Sequence, residues 1–267
     1  MGVEMDLQLR GRRAFVSGST QGIGYAIARA LLNEGAAVVI NGRAESRVRS
    51  AVERLSAEVS GAAVEGSVAD FEDPVQVRRL LDALGELDIV VNNVGLFERR
   101  SFLDIADRDW QRYFDVNVMS GVQVSRHAMP GMLARGWGRI LFVGSESGVN
   151  VPGDMLHYGV TKAAMLALSN GLAKLTRGTA VTVNAILGGP TYSDGVEDTV
   201  RQIARDQAMN ADDLKTAIIG ENQTSLVERF LDPGEIANLA LYLASPLSSA
   251  TNGAALRADG GVLTAIT

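Results

Sequence analysis

Two residues that could exchange a proton with a substrate stand four positions apart, Tyr158 and Lys162 in the stretch HYGVTKAAM. On a helix, side chains at this spacing lie on the same face. An ammonium group beside a phenol stabilises the phenolate, and moving the phenol pKa from about 10 to neutrality takes about 4 kcal/mol of such stabilisation. A tyrosine tuned in this way acts as a general acid or base. Because tyrosine and lysine also meet at this spacing by chance, the rest of the chain decides between the two interpretations.

A glycine-rich turn near the N-terminus is suited to holding a phosphate. The sequence SGSTQGIG at residues 17–24 lies between a predicted strand and a predicted helix. Glycines let the main chain approach a ligand closely, and the amide groups at a helix N-terminus attract a pyrophosphate. In a strand–turn–helix unit this pattern is typical of dinucleotide sites. The predicted contacts come from Gly18, Gln21, Gly22, Ile23 and Gly24.

The end of the second predicted strand indicates which dinucleotide is bound. An acidic residue there binds the 2′-hydroxyl of the adenosine ribose, whereas a basic residue accommodates a 2′-phosphate. This chain has Asn41, Gly42 and Arg43 at that place, and the first carboxylate follows at Glu45. Since a guanidinium group binds phosphate well, the sequence favours NADP(H), with Asn41 assisting through its amide and Gly42 leaving room. NAD(H) stays an alternative, because Arg43 could instead stack on the adenine.

Composition limits the classes of function. The 267 residues carry 25 lysines and arginines against 31 aspartates and glutamates, a formal net charge of −6, which argues against nucleic acid or an anionic membrane as partner. Without cysteine the chain has no disulfide, thiolate metal site or thiol nucleophile. Its two histidines lie far apart, so no metal site is predicted. With neither a signal peptide nor an apolar run of membrane-spanning length, we expect a cytoplasmic protein.

Short apolar runs alternate with longer helical patterns along the chain. Such alternation predicts right-handed β-α-β units and a parallel sheet covered on both faces. The predicted fold is α/β, a single-domain doubly wound parallel β-sheet (Rossmann fold) of about seven strands, spanning residues 1–267. Strands are predicted at residues 13–18, 36–41, 62–66, 87–93, 138–145, 180–187 and 253–259. Helices are predicted at residues 22–34, 45–59, 74–84, 107–120, 121–134 and from the Tyr158 motif to residue 177.

Residues 188–232 interrupt this alternation of strands and helices, because the segment has helical patches but no predicted strand. Long insertions in such folds usually cover a site. We therefore expect this segment to cover and shape the substrate pocket.

Several motifs in order resemble the short-chain dehydrogenase/reductase family, and the resemblance extends over nearly the whole chain. The matching positions are the glycine turn, Asn92-Asn93-Val94-Gly95 (with valine for the usual alanine), Asn117, Ser145, Tyr158 with Lys162, and the closing ADGG at residues 258–261. Ser145 precedes Tyr158 by thirteen residues, the interval found in the family. Several motifs that occur together in the order and spacing of a family identify that family far more specifically than any single motif does. Chance therefore no longer explains the Tyr158–Lys162 spacing.

The resemblance implies four catalytic residues and a nicotinamide cofactor. Tyr158 would be the acid/base, Ser145 would hydrogen-bond the substrate oxygen, and Lys162 would supply positive charge and bind the nicotinamide ribose. Asn117 would hold a water that connects Lys162 to solvent. Besides the glycine turn and Arg43, the implied cofactor-binding residues are Ser67, Val68, Asn93, Gly95, Tyr158, Lys162, Thr191 and Ser193.

Two positions depart from the family pattern. Ser67 stands where the family usually has an aspartate near the adenine, so adenine recognition is expected to use the Val68 main chain. After the sixth strand, Gly188-Gly189 replaces the usual Pro-Gly. Without the proline, the loop on the nicotinamide side is expected to be less rigid.

These features predict an oxidoreductase that transfers a hydride between NADP(H) and a carbonyl or secondary alcohol. The residues fit a 3-oxoacyl reductase, a sugar or polyol dehydrogenase, or a steroid-like alcohol dehydrogenase. The alternative is a non-catalytic NAD(P)-binding regulatory protein of the same fold, against which the four retained catalytic positions argue. Apolar helices near residues 116–133 and 163–175, together with the family's habit of pairing them, predict a homotetramer or at least a dimer.

Other reactive residues are less convincing candidates. His157 points about 100° away from Tyr158 around the helix, so a pocket or packing role is expected. The stretch SESG at residues 145–148 lacks the glycine-x-serine-x-glycine elbow of hydrolases and a paired base. Arg99 and Arg100 could bind an anionic substrate, although we expect them to be solvated residues at the rim of the site.

Overall fold

The secondary structure alternates between strands and helices, as the sequence pattern predicts. The computed structural model describes residues 6–206, 209–221 and 224–266. The strands are β1 Arg13–Val16, β2 Ala37–Gly42, β3 Ala63–Val68, β4 Ile89–Asn92, β5 Trp137–Val143, β6 Ala180–Gly188 and β7 Ala255–Ala258. The helices are α1 Gly22–Asn33, α2 Glu45–Glu58, α3 Pro74–Leu84, α4 Asp107–Tyr113, α5 Ser120–Arg135, α6 Leu156–Lys174, α7 Asp194–Asp206, α8 Ala211–Glu221 and α9 Pro233–Ala244.

The strands form one seven-stranded sheet in the order β3-β2-β1-β4-β5-β6-β7. Every neighbouring pair is parallel, which confirms the predicted doubly wound α/β class. The strand order reverses between β1 and β4. At such a point the loops after the two strands leave in opposite directions and open a crevice at the carboxyl edge of the sheet.

Helices cover both faces of this sheet, and alternate strand residues enter two separate cores. One core contains Val16, Ile40 and Val91 together with residues of α1 and α9. The other contains Phe15, Val39 and Val90 together with residues of α3, α5 and α6. The strands are therefore buried on both sides, which explains their continuous apolar runs.

Several predicted element boundaries differ from the structure by one to three residues, and at two of them the cause is a main chain that turns earlier than expected. Strand β1 ends at Val16, two residues before the predicted end, since Gly18 has a left-handed φ of 59° that no strand contains. Helix α6 ends at Lys174 rather than near residue 177. The main-chain amides of Leu175 and Thr176 fold back to Leu172 O and Ala173 O, which closes the helix.

The predicted break between two helices at residues 120 and 121 is wrong. The chain stays helical from α4 through the π-helical turn Phe114–Met119 into α5. Ser120 has ordinary helical angles of φ −54° and ψ −50°. Gly121 serves packing instead, because a Cβ at this position would lie 2.7 Å from the Phe142 ring.

The segment between β6 and α9 contains α7 and α8, and these two helices pack on each other through buried Val200, Ala204 and Leu214. At the ends of the segment, Thr191 and Leu231 form an isolated parallel bridge. Both ends of the insertion are therefore fastened to each other beside the sheet.

Candidate active site

The glycine turn after β1 lies in the crevice and is tightly held. A Cβ at Gly24 would lie 2.5 Å from both Gly18 O and Asn93 Nδ2, so only glycine fits there. Asn93 Nδ2 donates hydrogen bonds to Ser17 O at 3.0 Å and Gly18 O at 2.8 Å. Helix α1 begins without a side-chain cap from Gln21. Tight glycines followed by uncapped helix amides suit a pyrophosphate, so these residues fit a dinucleotide.

A carboxylate that the sequence analysis did not single out contacts this turn. Asp194 Oδ2, at the start of α7, accepts a hydrogen bond from Gly22 N at 2.6 Å. The neighbouring Ser193 also lies over the turn, since a Cβ at Gly22 would be 3.2 Å from Ser193 Cβ. The insertion therefore begins directly against the N-terminus of α1.

Asn41 has a different role from the predicted one. Its Oδ1 accepts a hydrogen bond from Gly18 N at 3.2 Å, and its Nδ2 donates to Ser67 O at 3.2 Å and Ala69 O at 3.3 Å. Because the buried amide is hydrogen-bonded to the main chain of the glycine turn and to that of the end of β3 and the residue after it, it is not free to assist a phosphate. Gly42 does not leave open room either, since a Cβ there would lie 2.6 Å from a methyl group of Thr20.

Positive charge surrounds the predicted adenosine end. Arg43 is exposed after β2, and its charge helps to hold the pKa of Glu72 low, after the larger effect of the hydrogen bond from Arg112. A cavity of about 320 Å³ lies between the glycine turn, α2 and Asp194, and it contains two further arginines. Its lining residues are Thr20, Gln21, Ser46, Arg47, Ser50, Arg54 and Asp194. The repeated arginines of α2 are the sequence signal for this cavity, whereas the sequence-based prediction named only Arg43.

Ser67 and Val68 lie at the end of β3, where they pair in register with Asn41 and Gly42. The Val68 side chain is 43% exposed. The structure thus brings both predicted adenine-side positions to the same edge as the glycine turn.

Three of the four predicted catalytic residues meet where β5 ends and α6 passes. Tyr158 and Lys162 lie on one side of α6, with Lys162 Nζ 5.6 Å from the centre of the Tyr158 ring. Lys162 Nζ donates a hydrogen bond to Val143 O at 2.8 Å. Ser145 follows β5, and its side chain lies close enough to the Tyr158 phenol to affect the pKa of that group. Lys162 also faces Gly95, where a Cβ would lie 3.6 Å from Nζ.

Asn117 lies in the π-helical turn and connects two parts of the site. Its Oδ1 accepts a hydrogen bond from Leu96 N at 2.6 Å, and its Nδ2 donates to Leu96 O at 3.0 Å and to Thr161 Oγ1 at 2.9 Å. The buried amide therefore ties the loop after β4 to α6, one residue before Lys162.

The pKa values of the proton-transfer pair differ from the sequence-based expectation. Burial raises the pKa of Tyr158 above its ordinary value, and the nearby Ser145 side chain opposes this rise. Burial lowers the pKa of Lys162 to about 8, while the carboxylate of Glu146 acts in the opposite direction. The expected lowering of the phenol pKa is absent because desolvation of the phenolate is the largest effect on this group.

Thr191 and Ser193, predicted to lie near the nicotinamide carboxamide, begin the insertion after β6. Thr191 is buried and its Oγ1 donates to Gly189 O at 2.9 Å. Ser193 lies over Gly22, as described above. The structure therefore brings Ser193 against the glycine turn, whereas Thr191 is held beside Gly189 and Leu231 after the end of β6.

Two other candidates, Arg99 and Arg100, have ion-pair partners within the protein. Arg100 pairs with Asp109 at 2.6 Å and with Glu98 at 2.8 Å, and Arg99 pairs with Asp154 at 3.3 Å. These arginines are therefore committed to carboxylates of their own surroundings.

His157 is fully buried, and its ring lies 3.9 Å from the centre of the Tyr113 ring. Desolvation lowers its pKa. Its expected packing role agrees with these contacts.

Neither a metal cluster nor a membrane helix is found in the part of the chain that the structure describes. No group of three or more His, Cys, Asp or Glu side chains among residues 6–206, 209–221 and 224–266 could hold a metal ion. Within the same ranges, no helix combines the length and apolar character needed to cross a membrane.

Comparison with known proteins assigns this arrangement to a family. A family profile described as "Enoyl-(Acyl carrier protein) reductase" matches residues 18–263. The uncharacterized oxidoreductase YvaG of Bacillus subtilis (strain 168) is 41% identical over 98% of this chain and 100% of its own length. A second B. subtilis oxidoreductase, YvrD, is 42% identical over 97% of this chain and 99% of its own length.

A similar solved structure is L-sorbose reductase from Gluconobacter frateurii, complexed with NADPH and L-sorbose. It superposes with a TM-score of 0.92 at 30% sequence identity and covers 98% of this chain and 100% of its own. The similarity therefore extends beyond the sheet to the insertion between β6 and α9.

Proposed function

The chain belongs to the short-chain dehydrogenase/reductase family of NAD(P)-dependent oxidoreductases, and we propose that it transfers a hydride between NADP(H) and a carbonyl or secondary alcohol substrate, with Tyr158 as general acid/base. The observation that carries this proposal is the meeting of Ser145, Tyr158 and Lys162 beside the glycine turn. Lys162 Nζ lies 5.6 Å from the Tyr158 ring centre, and the Ser145 side chain is close enough to the phenol to act on its pKa.

Each residue of the site has a task in this proposal. Tyr158 donates its phenolic proton to the carbonyl oxygen in reduction and accepts a proton from the hydroxyl group in oxidation. Ser145 hydrogen-bonds the same oxygen and stabilises its developing charge. Lys162 contributes positive charge beside the phenol, and Asn117 keeps the loop after β4 against α6. When bound, the nicotinamide cofactor supplies or accepts the hydride.

The proposed preference for NADP(H) rests on charge at the adenosine end. Arg43 is exposed after β2, and the cavity between the glycine turn and α2 adds Arg47 and Arg54. A 2′-phosphate entering this region meets guanidinium groups, which bind phosphate oxygens through charge-assisted hydrogen bonds. The similar L-sorbose reductase is complexed with NADPH, which supports the proposed preference for NADP(H) over NAD(H). NAD(H) lacks the 2′-phosphate and would therefore not form this contact with the guanidinium groups.

We further propose that residues 188–232 form the substrate cover of a single domain. At one end, Asp194 contacts Gly22; at the other, the main-chain amides of Leu226 and Val227 donate to Gly260 O, the former at 2.8 Å. A segment fastened at both sides of the crevice is well placed to enclose a small molecule. We also propose self-association, as a homotetramer or at least a dimer, through α5 and α6.

The test is NADPH absorbance measured with a panel of ketones, and NADP⁺ reduction measured with the matching alcohols. Tyr158→Phe keeps the ring but removes the transferable proton. We expect its turnover to fall about 10²- to 10⁴-fold, the usual contribution of general acid–base catalysis. NADPH affinity, followed by the fluorescence of the bound cofactor, should remain nearly unchanged.

Two outcomes would overturn the proposal. Turnover of Tyr158→Phe within about threefold of the parent enzyme would remove Tyr158 from the acid/base role. Tight NADPH binding with no turnover of any carbonyl or alcohol would instead indicate a nucleotide-binding regulatory protein.

A further inference from the structure

The carboxylate of Glu146 is held against the proposed catalytic serine. Glu146 Oε2 accepts a hydrogen bond from Ser145 Oγ at 2.5 Å, and Oε1 accepts one from Ser147 Oγ at 3.2 Å. The main chain of this turn is also fixed, because Glu146 O accepts hydrogen bonds from Val149 N and Asn150 N, both at 2.9 Å. Side-chain and main-chain contacts together keep the carboxylate beside Ser145.

The charge of this carboxylate is not neutralised by an ion pair within the part of the chain that the structure describes. Among the described residues, no lysine, arginine or histidine forms an ion pair with Glu146, although the side chain is half-buried. The charge acts on the reacting groups instead, since it raises the pKa of both Tyr158 and Lys162. An ionised carboxylate only accepts hydrogen bonds, so a ligand that satisfies it must bring a donor.

Glu146 is close enough to contact a substrate bound at Ser145. An oxygen that hydrogen-bonds Ser145 Oγ lies about 2.8 Å from it. Because Glu146 Oε2 is 2.5 Å from the same Oγ atom, the substrate oxygen and the carboxylate can be at most about 5.3 Å apart. A hydroxyl group on the carbon next to the carbonyl fits within this interval.

We propose that Glu146 is a specificity-determining residue that accepts a hydrogen bond from a hydroxyl group next to the reacting carbonyl, so that the substrates are hydroxylated ketones of the sugar or polyol type. This inference rests on the proposed function and names the substrate class of that site.

The single proton of the Ser145 hydroxyl explains why such a hydroxyl group matters for the reaction. In the structure this proton is directed to Glu146, so it is not available to the substrate carbonyl oxygen. A substrate hydroxyl that donates to Glu146 replaces Ser145 in that bond. The Ser145 proton is then free to stabilise the carbonyl oxygen as negative charge develops on it.

The same carboxylate disfavours the other substrate classes. An acyl chain without a hydroxyl group offers it no donor and leaves it desolvated. A short keto acid would bring a second negative charge close to it, which is repulsive. A neutral hydroxylated ketone avoids both disadvantages.

Hydroxyacetone and butanone provide a matched pair, because a hydroxyl group in one replaces a methyl group in the other. We expect the parent enzyme with NADPH to prefer hydroxyacetone in kcat/KM by about 10- to 100-fold, the usual range for a hydrogen bond to a charged group. In Glu146→Gln the preference should fall to about threefold or less. The exposed α2 carboxylate Glu53 provides the control, and Glu53→Gln should keep the full preference. If turnover of these small ketones is too slow, their inhibition constants against the best ketone of the panel give the same ratio.

The outcomes separate this inference from the proposed function. Equal kcat/KM values for the two ketones in the parent enzyme, or an unchanged preference in Glu146→Gln, would overturn the role of Glu146 while leaving an active reductase. Absence of turnover with every ketone would overturn the proposed function itself. A purely structural role of Glu146 would lower both kcat/KM values together, and the preference would remain. If Glu146→Gln does not fold, as judged from its Tm, Glu146→Asp supplies the comparison, because the shorter carboxylate should still reduce the ratio.

Discussion

The carboxylate of Asp194 accepts a hydrogen bond from the main-chain amide of Gly22 at 2.6 Å, across 172 positions of sequence. Gly22 is the first residue of α1, where the helix dipole and uncapped amides attract negative charge. A pyrophosphate would use the same attraction. We therefore expect Asp194 to compete with the cofactor for the start of α1.

We expect Asp194→Asn to bind NADPH about 2- to 10-fold more tightly than the parent protein, because the substitution removes a negative charge but keeps the side-chain shape. The measurement is a titration followed by NADPH fluorescence. Glu197, one turn further along α7 and paired with Arg201, provides the control, and Glu197→Gln should leave the affinity unchanged. Weaker or equal binding by Asp194→Asn would show that the contact does not oppose the cofactor.

Arg43→Ala should weaken NADPH binding by about 10- to 150-fold and leave NADH binding nearly unchanged, because a charge-assisted hydrogen bond to phosphate contributes about 1.5–3 kcal/mol. Titration of both cofactors into both proteins tests this. Arg49→Ala, on the exposed side of α2, is the matched control. If Arg43→Ala weakens the binding of NADPH and NADH equally, Arg43 stacks on the adenine instead of binding the 2′-phosphate. If the parent protein binds NADH more tightly than NADPH, the proposed preference for NADP(H) is wrong.

The activity should decrease as the pH rises through about 8, because the Lys162 ammonium group loses its proton there. Below this pH the lysine is charged and stabilises the phenolate; above it the lysine is neutral. The value of kcat/KM for NADPH at saturating ketone reports the free enzyme. In Glu146→Gln the midpoint should move to lower pH, since Glu146 raises the pKa of Lys162. A flat profile between pH values of about 7 and 9 would contradict this role of Lys162.

Light scattering at micromolar concentration should give a multiple of the 28.3 kDa chain mass. Ala167 is exposed on α6, one of the two helices proposed to pair. Ala167→Arg should reduce the mass, because a large charged side chain prevents close helix packing. Ala57→Arg, an equivalent change on exposed α2, should leave the mass unchanged. A monomeric mass for the parent protein would remove the proposed assembly.

The sequence predicted those parts of the fold that depend on local pattern. Continuous apolar runs identified the buried strands, and the glycine turn was expected between β1 and α1, where it lies. The meeting of Ser145 with Tyr158 was predicted only because the motifs resemble a known family. Their spacing alone does not fix a contact between a strand end and a helix.

The contacts that were missed depend on distant parts of the chain. Nothing near Asp194 indicates that it reaches Gly22, because the position of the insertion depends on packing of the whole sheet edge. Arg47 and Arg54 look like ordinary solvated residues of α2 until the cavity beside the glycine turn is seen. Asn41 illustrates the opposite error, since an amide that looked free for a phosphate is hydrogen-bonded on both ends.

Residues Phe114–Met119 form a π-helical turn. The number of residues in this stretch therefore matters for the position of Asn117 as much as the residue types do. A π-turn contains one residue more than an α-helical turn, and each residue rotates a helix by about 100°. Removing one residue here would keep the helix regular but rotate Tyr113, which packs on His157, relative to Asn117. We therefore expect this stretch to tolerate conservative substitutions better than the deletion of a single residue, which would move Asn117 away from Leu96 and Thr161.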